Sequence, residues 1–212
     1  VPDLFPSDAA LQQIPTSDAD LRYKSRLDIG APTAAVLSEL IERTPWRADS
    51  VVVWGKRHPQ PRLTAWYGDE DARYEYSGLA LDPLPWTPRL LAMKESVEDA
   101  AASRFNSVLL NYYRDERDSM GMHSDDEPEL GPLPVIASLS LGETRTLLFK
   151  HRTDRGRKSL RIELGDGSLL IMRGATQRNW KHGIAKEPRP CGPRVNLTFR
   201  RIVPRQAPGR AS

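Results

Sequence analysis

Residues 193–201 read PRVNLTFRR, and the alternation inside them decides the fold. In an extended chain, side chains point alternately to two faces, with a period of two. One face here carries Arg194, Asn196, Thr198 and Arg200, and the other Val195, Leu197 and Phe199. The apolar face asks for a core. The opposite face, with two arginines and an asparagine, looks built to receive an anion inside a barrel. An edge strand with solvated arginines is the plainer alternative.

Working outward, the C-terminal half breaks into short strand-like runs at residues 107–113, 135–139, 145–150, 160–163, 168–172 and 195–202. Turn signals at Gly131-Pro132, Gly142-Glu143, 154–156, 165–167 and Gly192-Pro193 separate them. Further strands are expected at 50–54, 62–67 and 73–76. Two helices stand out. Residues 32–43 have Pro32 suited to a first helical position and Pro45 as a stop, and 88–102 set Leu91, Val97 and Ala101 near one face. Helices confined to the N-terminal half and many short strands after them imply an α+β, mainly β fold. Its core would be a double-stranded β-helix (jelly-roll), with the N-terminal helices packed on one sheet.

The 212 residues suit one domain. A loosely ordered segment is expected at 1–19, a single domain at 20–203 and a tail at 204–212. With 39% hydrophobic and 28% charged residues the chain reads as soluble. No stretch approaches the roughly 20 apolar residues of a membrane helix, so no membrane partner is expected. The polar N-terminal stretch shows no basic segment followed by an apolar run, and the single Cys191 fits a reducing compartment. A cytoplasmic monomer is the resulting expectation.

A formal charge of +3 permits a polyanionic partner without demanding one. The basic residues concentrate at 145–161, RTLLFKHRTDRGRKSLR. There Arg145, Lys150, Arg152, Arg155, Arg157, Lys158 and Arg161 stand against one acid, Asp154. That run is either a solvated hairpin or a loop contacting nucleic-acid phosphates.

A second motif, GMHSDDEPELG at 121–131, sets His123 and Asp125 two apart. On an extended segment both point to one side and could take two adjacent positions on a metal. Alone, such a pair is equally a surface hydrogen bond. A third ligand must come from elsewhere. His58 precedes a proline, His151 lies in the basic hairpin, and His182, in NWKHG, follows the 168–172 strand. Two histidines and one carboxylate with open positions form the facial set of non-haem iron(II) oxygenases. A zinc hydrolase could use the same three residues, but would not need the Arg194/Arg200 face.

Taken in order, HSDDE at 123–127, the later His182 and RVNLTFR at 194–200 resemble the signature of AlkB-type dioxygenases, which depend on iron(II) and 2-oxoglutarate. The resemblance extends over about residues 45–203, through PRLTAWYGD, YSG, NYYRDE, IASLSLG and GSLLIM. It implies a catalytic core at 106–203, with helices and a nucleotide-recognition hairpin lid at 20–105. It further implies that His123, Asp125 and His182 hold iron(II), and that 2-oxoglutarate and O2 are cosubstrates. Arg194 would pair with the distal carboxylate of 2-oxoglutarate, and Arg200 would lie at the metal end. Asn111, Tyr113 and Asn196 would line the cosubstrate pocket.

The implied reaction is oxidative dealkylation of bases such as 1-methyladenine or 3-methylcytosine. The partner would be alkylated DNA, single- or double-stranded, or RNA. For the base itself, Tyr74, Tyr76 and Ser77 are the candidates of the lid, with Tyr76 as stacking ring opposite His123. Glu127 would favour a cationic lesion, and Trp54 could fill the gap left by a flipped base. Each of these aromatics is also a plausible packing residue. The loop GIAKEPRPCGPR after His182 lacks a run of three basic residues associated with duplex-preferring relatives. A non-catalytic nucleic-acid binding module on the same fold is the remaining alternative.

Overall fold

The computed structural model describes the backbone of residues 10–53, 56–72, 74–76 and 79–203, and side chains outside 51–59 and 73–81. Along the chain run β1 (Gln12–Ile14), β2 (Asp20–Lys24), α1 (Thr33–Arg43), β3 (Ser50–Val53), β4 (Lys56–Pro59), β5 (Leu63–Gly68), β6 (Tyr74–Tyr76) and β7 (Leu79–Leu81). Then follow α2 (Pro88–Ala101), β8 (Ser107–Tyr113), β9 (Met120–His123), β10 (Ile136–Gly142), β11 (Arg145–His151), β12 (Leu160–Leu164), β13 (Leu169–Arg173), α3 (Thr176–Asn179), β14 (Trp180–Ile184) and β15 (Arg194–Arg200).

Two antiparallel sheets make the jelly-roll. The larger orders its seven strands β1-β2-β13-β10-β15-β8-β5, and the smaller orders four as β12-β11-β14-β9. Two hairpins, β3–β4 and β6–β7, stand apart from both sheets. The alternation of β15 is realised. Val195, Leu197 and Phe199 are fully buried and join Leu110, Leu139 and Ile171 in the core that packs against the helices. A second core, with Phe149, Ile162, Leu164, Leu170 and Met172, fills the space between the sheets.

Both helices present one apolar stripe to the large sheet. α1 buries Val36 and Leu40, and its chain turns extended at Thr44, ahead of Pro45. α2 begins where Thr87 Oγ1 accepts from Leu90 N at 3.2 Å, and ends at Ala102 in the left-handed region, φ 46°. Leu91, expected on its inner face, is 41% exposed. The stripe runs instead through Leu90, Met93, Val97 and Ala101, whose spacing of three or four keeps one face.

Of the loose ends expected at 1–19 and 204–212, residues 1–9 and 204–212 lie outside the described residues, but the part from residue 10 on is ordered into the fold. Residues 12–14 form β1, which pairs with β2, and β2 pairs with β13, so the large sheet gains two strands from this end. Two further strands, β9 and β14, occupy stretches without strand-like alternation, and they carry the histidines. Gly183 explains their closeness. A Cβ there would stand 2.9 Å from Met120 O, so only glycine lets β9 approach β14 beside His182.

Candidate functional site

The strand register assembles the site before any side chain is considered. β14 pairs with β9 so that His182 lies opposite His123, and their ring centroids are 4.4 Å apart. Asp125 follows β9, its backbone N–H donating to Gln177 Oε1 at 3.0 Å. Gln177 belongs to α3, is itself 2% exposed and went unnoticed in the sequence. No local pattern marks a glutamine that anchors a ligand two strands away.

One ligand atom from each of His123, Asp125 and His182 lies within 4.8 Å of the other two, close enough to hold one metal ion. Asp125 Oδ1 is 3.8 Å from His123 Nε2, and Oδ2 is 3.6 Å from His182 Nε2. His123 Nδ1 lies 3.0 Å from Gly121 O. A carbonyl only accepts, so Nδ1 carries the proton and Nε2 keeps its lone pair for a metal. Asp125 Oδ2 is buried without a hydrogen-bond partner among the described residues, a demand that a cation between the three groups would meet. Two imidazoles and a carboxylate on one side, with room beyond them, is the donor set that iron(II) takes in facial sites.

The electrostatics favour the ligating forms. Burial opposes ionisation of Asp125, but Arg200, His182 and His123 outweigh it and hold the carboxyl at about 2. Arg200 Nη2 donates to Asp125 Oδ1 at 2.7 Å. Burial pushes His182 down to about 4, against the attraction of Asp125, so its ring is neutral at physiological pH.

A cavity of about 860 Å³ runs between the sheets from this triad. Its wall on the large sheet is a polar ladder, in which β15 pairs Asn196 with Asn111 and Arg194 with Tyr113 of β8. Asn196 Nδ2 donates to Ser138 Oγ at 2.8 Å, and Asn111 Oδ1 accepts from Arg62 Nε at 2.7 Å. Arg194 is wholly buried, with its guanidinium carbon 5.1 Å from the Tyr113 ring centroid. Its Nη2 donates to Ser140 Oγ at 2.8 Å, while Nε and Nη1 find no hydrogen-bond partner among the described residues. Burial lowers its pKa to about 10, which still leaves it charged. A buried cation with two unused donors is costly unless an anion completes it. Tyr113 serves from behind: it supports Arg194, and its OH is 3.8 Å from Met120 Sδ.

Glu127 lines the cavity, with Oε2 buried and lacking a hydrogen-bond partner among the described residues. Tyr74 and Tyr76 lie two apart on β6, opposite Leu81 and Leu79 of β7, while their side chains lie outside the described residues. Trp54 and Ser77 also lie outside them. The basic hairpin is only partly what its charge suggested. Arg145 is 1% exposed, sunk beside Leu147 and Phe149. Arg152, itself exposed, pairs with Asp126 at 2.5 Å and Arg157 with Asp18 at 2.6 Å, while Lys150, Arg155, Lys158 and Arg161 are also exposed.

Residues 31–200 match the family model of the 2OG-Fe(II) oxygenase superfamily. The chain is 44% identical over 177 residues to the alpha-ketoglutarate-dependent dioxygenase alkB homolog 3 of Mus musculus, covering 80% of this chain and 61% of the mouse protein. It is 43% identical over 160 residues to the mouse DNA oxidative demethylase ALKBH2, covering 73% of this chain and 67% of that one. The chain therefore spans about three-fifths of the length of the alkB homolog 3 relatives it matches. The structure of OsALKBH1 superposes with a TM-score of 0.62 at 19% identity, covering 91% of this chain and 100% of the other, a likeness of fold.

Proposed function

Since the chain belongs to the AlkB branch of the 2OG-Fe(II) oxygenase superfamily, we propose that it removes alkyl groups from DNA bases by direct reversal, with lesions of the 1-methyladenine and 3-methylcytosine type as substrates. One observation carries the reading. A facial His-Asp-His set sits in the same cavity as a fully buried arginine that lacks two hydrogen-bond partners. When bound, iron(II) and 2-oxoglutarate supply the oxidising power that hydroxylates an N-alkyl carbon, with O2 consumed and succinate and carbon dioxide released.

The chain's own residues do the positioning. His123, Asp125 and His182 would hold the metal, with Arg200 fixing one oxygen of Asp125. Arg194 offers its guanidinium fork to the distal carboxylate of 2-oxoglutarate, the geometry a fork serves better than an ammonium. Asn111 and Asn196 supply polar contacts along the same wall. A base must leave its stack to reach so enclosed a site. Tyr74, Tyr76 and Ser77 of the lid would hold it against His123, and Trp54 would fill the gap it leaves in a duplex. Glu127, its Oε2 buried, would favour a cationic lesion over an unmodified base. The hydroxylated alkyl group then falls away as an aldehyde, formaldehyde in the case of methyl. Exposed Lys150, Arg155, Lys158 and Arg161 would meet the phosphate backbone. A protein with this task works where genomic DNA lies, the nucleoid of a bacterium or the nucleus of a eukaryote.

The test is turnover of matched oligonucleotides carrying either lesion, as single-stranded DNA, duplex DNA and RNA, with iron(II), ascorbate and 2-oxoglutarate. Loss of the methyl mass with release of formaldehyde, absent in His123→Ala, is the expected result. A preference for RNA would make the protein an RNA demethylase. No turnover on any strand, with 2-oxoglutarate still bound, would overturn the substrate and leave a nucleic-acid binding module.

A further inference from the structure

Arg145 is a buried cation that the reaction above does not use. It opens β11 with the parity of Leu147 and Phe149 and is 1% exposed. Its Nε donates to Glu187 Oε1 at 3.1 Å. Its Nη2 donates to Asp118 O at 2.9 Å and to Ala185 O at 2.6 Å, and Nη1 to Asp115 O at 3.5 Å. These carbonyls belong to two loops, the one that leaves Tyr113 and the one that leads into Arg194. The loops also meet directly, Glu187 N–H donating to Glu116 O at 2.9 Å. Arg145 therefore bolts together the two segments whose ends carry Tyr113 and the cavity-lining Arg194.

It also touches those ends. The guanidinium carbon of Arg145 lies 5.6 Å from the Tyr113 ring centroid, and that of Arg194 lies 5.1 Å from the same centroid. Two buried guanidiniums thus share one aromatic ring, an arrangement each stabilises through the ring quadrupole while their charges repel. Burial is the main cause of the lowered Arg194 pKa; Tyr113 opposes it, and the nearby charge of Arg145 adds to the lowering. An anion reaching Arg194 relieves both. Glu187 offsets Arg145 only in part, since its side chain is 32% exposed and shares its field with water.

We propose that Arg145 is a positioning residue for the distal carboxylate of 2-oxoglutarate, fixing Tyr113 and through it Arg194, and adding a second buried positive charge to the anion pocket. The inference rests on Arg194 receiving the distal carboxylate. Nothing here requires Arg145 to touch the ligand.

The test is calorimetry of ligand binding to the anaerobic iron(II)-loaded protein. It compares 2-oxoglutarate with 2-oxopentanoate, which keeps the chelating end and lacks the distal carboxylate. Arg145→Lys should weaken 2-oxoglutarate about tenfold and change 2-oxopentanoate less than about twofold. Glu187→Gln, at a partly exposed position, should tighten 2-oxoglutarate about threefold by leaving Arg145 uncompensated. Equal losses for both ligands in Arg145→Lys would mean a merely structural bolt and overturn the proposal, as would unchanged affinity in Glu187→Gln. Arg194→Gln separates the premise from the inference. If it binds 2-oxoglutarate like the wild type, the receptor reading falls and this one with it. If it is weakened while Arg145→Lys is not, only the role of Arg145 falls.

Discussion

The two ends of the cavity are built on opposite electrostatic plans. At the metal end, Asp125 is paired with Arg200 and lies beside His182 and His123, and despite its burial its carboxyl is held at about 2 and stays ionised. At the far end, Arg194 and Arg145 share a ring, and Arg194 keeps two nitrogens without hydrogen-bond partners. One end is balanced by the chain itself, and the other is left positive until a cosubstrate arrives. The difference teaches how one cavity can tell its two ends apart: at one end a carboxylate is answered by Arg200, while at the other the buried charge of Arg194 has no carboxylate beside it among the described residues.

The largest effect should come from breaking the balanced end. Asp125→Ala removes a candidate metal ligand and an acceptor of Arg200, so turnover should fall by on the order of 10³-fold or more. The ligand-free protein should also lose about 2–3 kcal/mol in urea melts, because Arg200 loses its buried carboxylate. Undiminished turnover would remove Asp125 from the site. Acid probes the same end. His182 binds its proton near 4 when folded and near 6.5 when unfolded, so the unfolded chain holds more protons between these values. Stability of the metal-free protein should therefore decline as pH falls from 6.5 to about 4, by up to about 3 kcal/mol. The measurement is the urea midpoint against pH, and His182→Gln should flatten that slope.

At the unbalanced end the signs reverse. Arg194→Met should raise the KM for 2-oxoglutarate about 100-fold, and yet stabilise the ligand-free protein by about 1–2 kcal/mol, since it removes a buried and under-partnered cation. A destabilised Arg194→Met protein would erase the contrast between the ends. Between them, Glu127→Gln should cut the preference for cationic over neutral lesions about fivefold, read as the ratio of kcat/KM on paired oligonucleotides. Equal losses on both lesions would take Glu127 out of base selection.

How legible this was depends on whether the two sides of an element differ. β15 could be read because its faces carry unlike residues, and the structure buries one against the helices and turns the other to the cavity. β9 and β14 escaped notice because MGMH and WKHGI lack alternation, their pairing being set by the close approach at Gly183. β1 and β2 escaped because a three- and a five-residue strand pair with each other and reach the large sheet only through β13, far along the chain. Arg145 was grouped with an exposed basic run by counting charge. Its parity with Leu147 and Phe149 was present in the sequence and pointed inward. Gln177 had no such signal, since its partner is a backbone N–H fixed only by the tertiary fold.

The three candidate ligands are unequally sheltered, and this governs exchange. The side chains of Asp125 and His182 are each 4% exposed, while that of His123 is 35% exposed and rides on β9, the edge strand of the smaller sheet. β9 is held to β14 through an irregular register between His182 and Ile184. A metal would therefore enter and leave past His123, and its residence time would be set by how often an edge strand frays. Chelators should strip the site at a rate that follows amide hydrogen exchange in residues 120–123, so that the lifetime of the loaded state becomes a property of one short zipper of backbone hydrogen bonds.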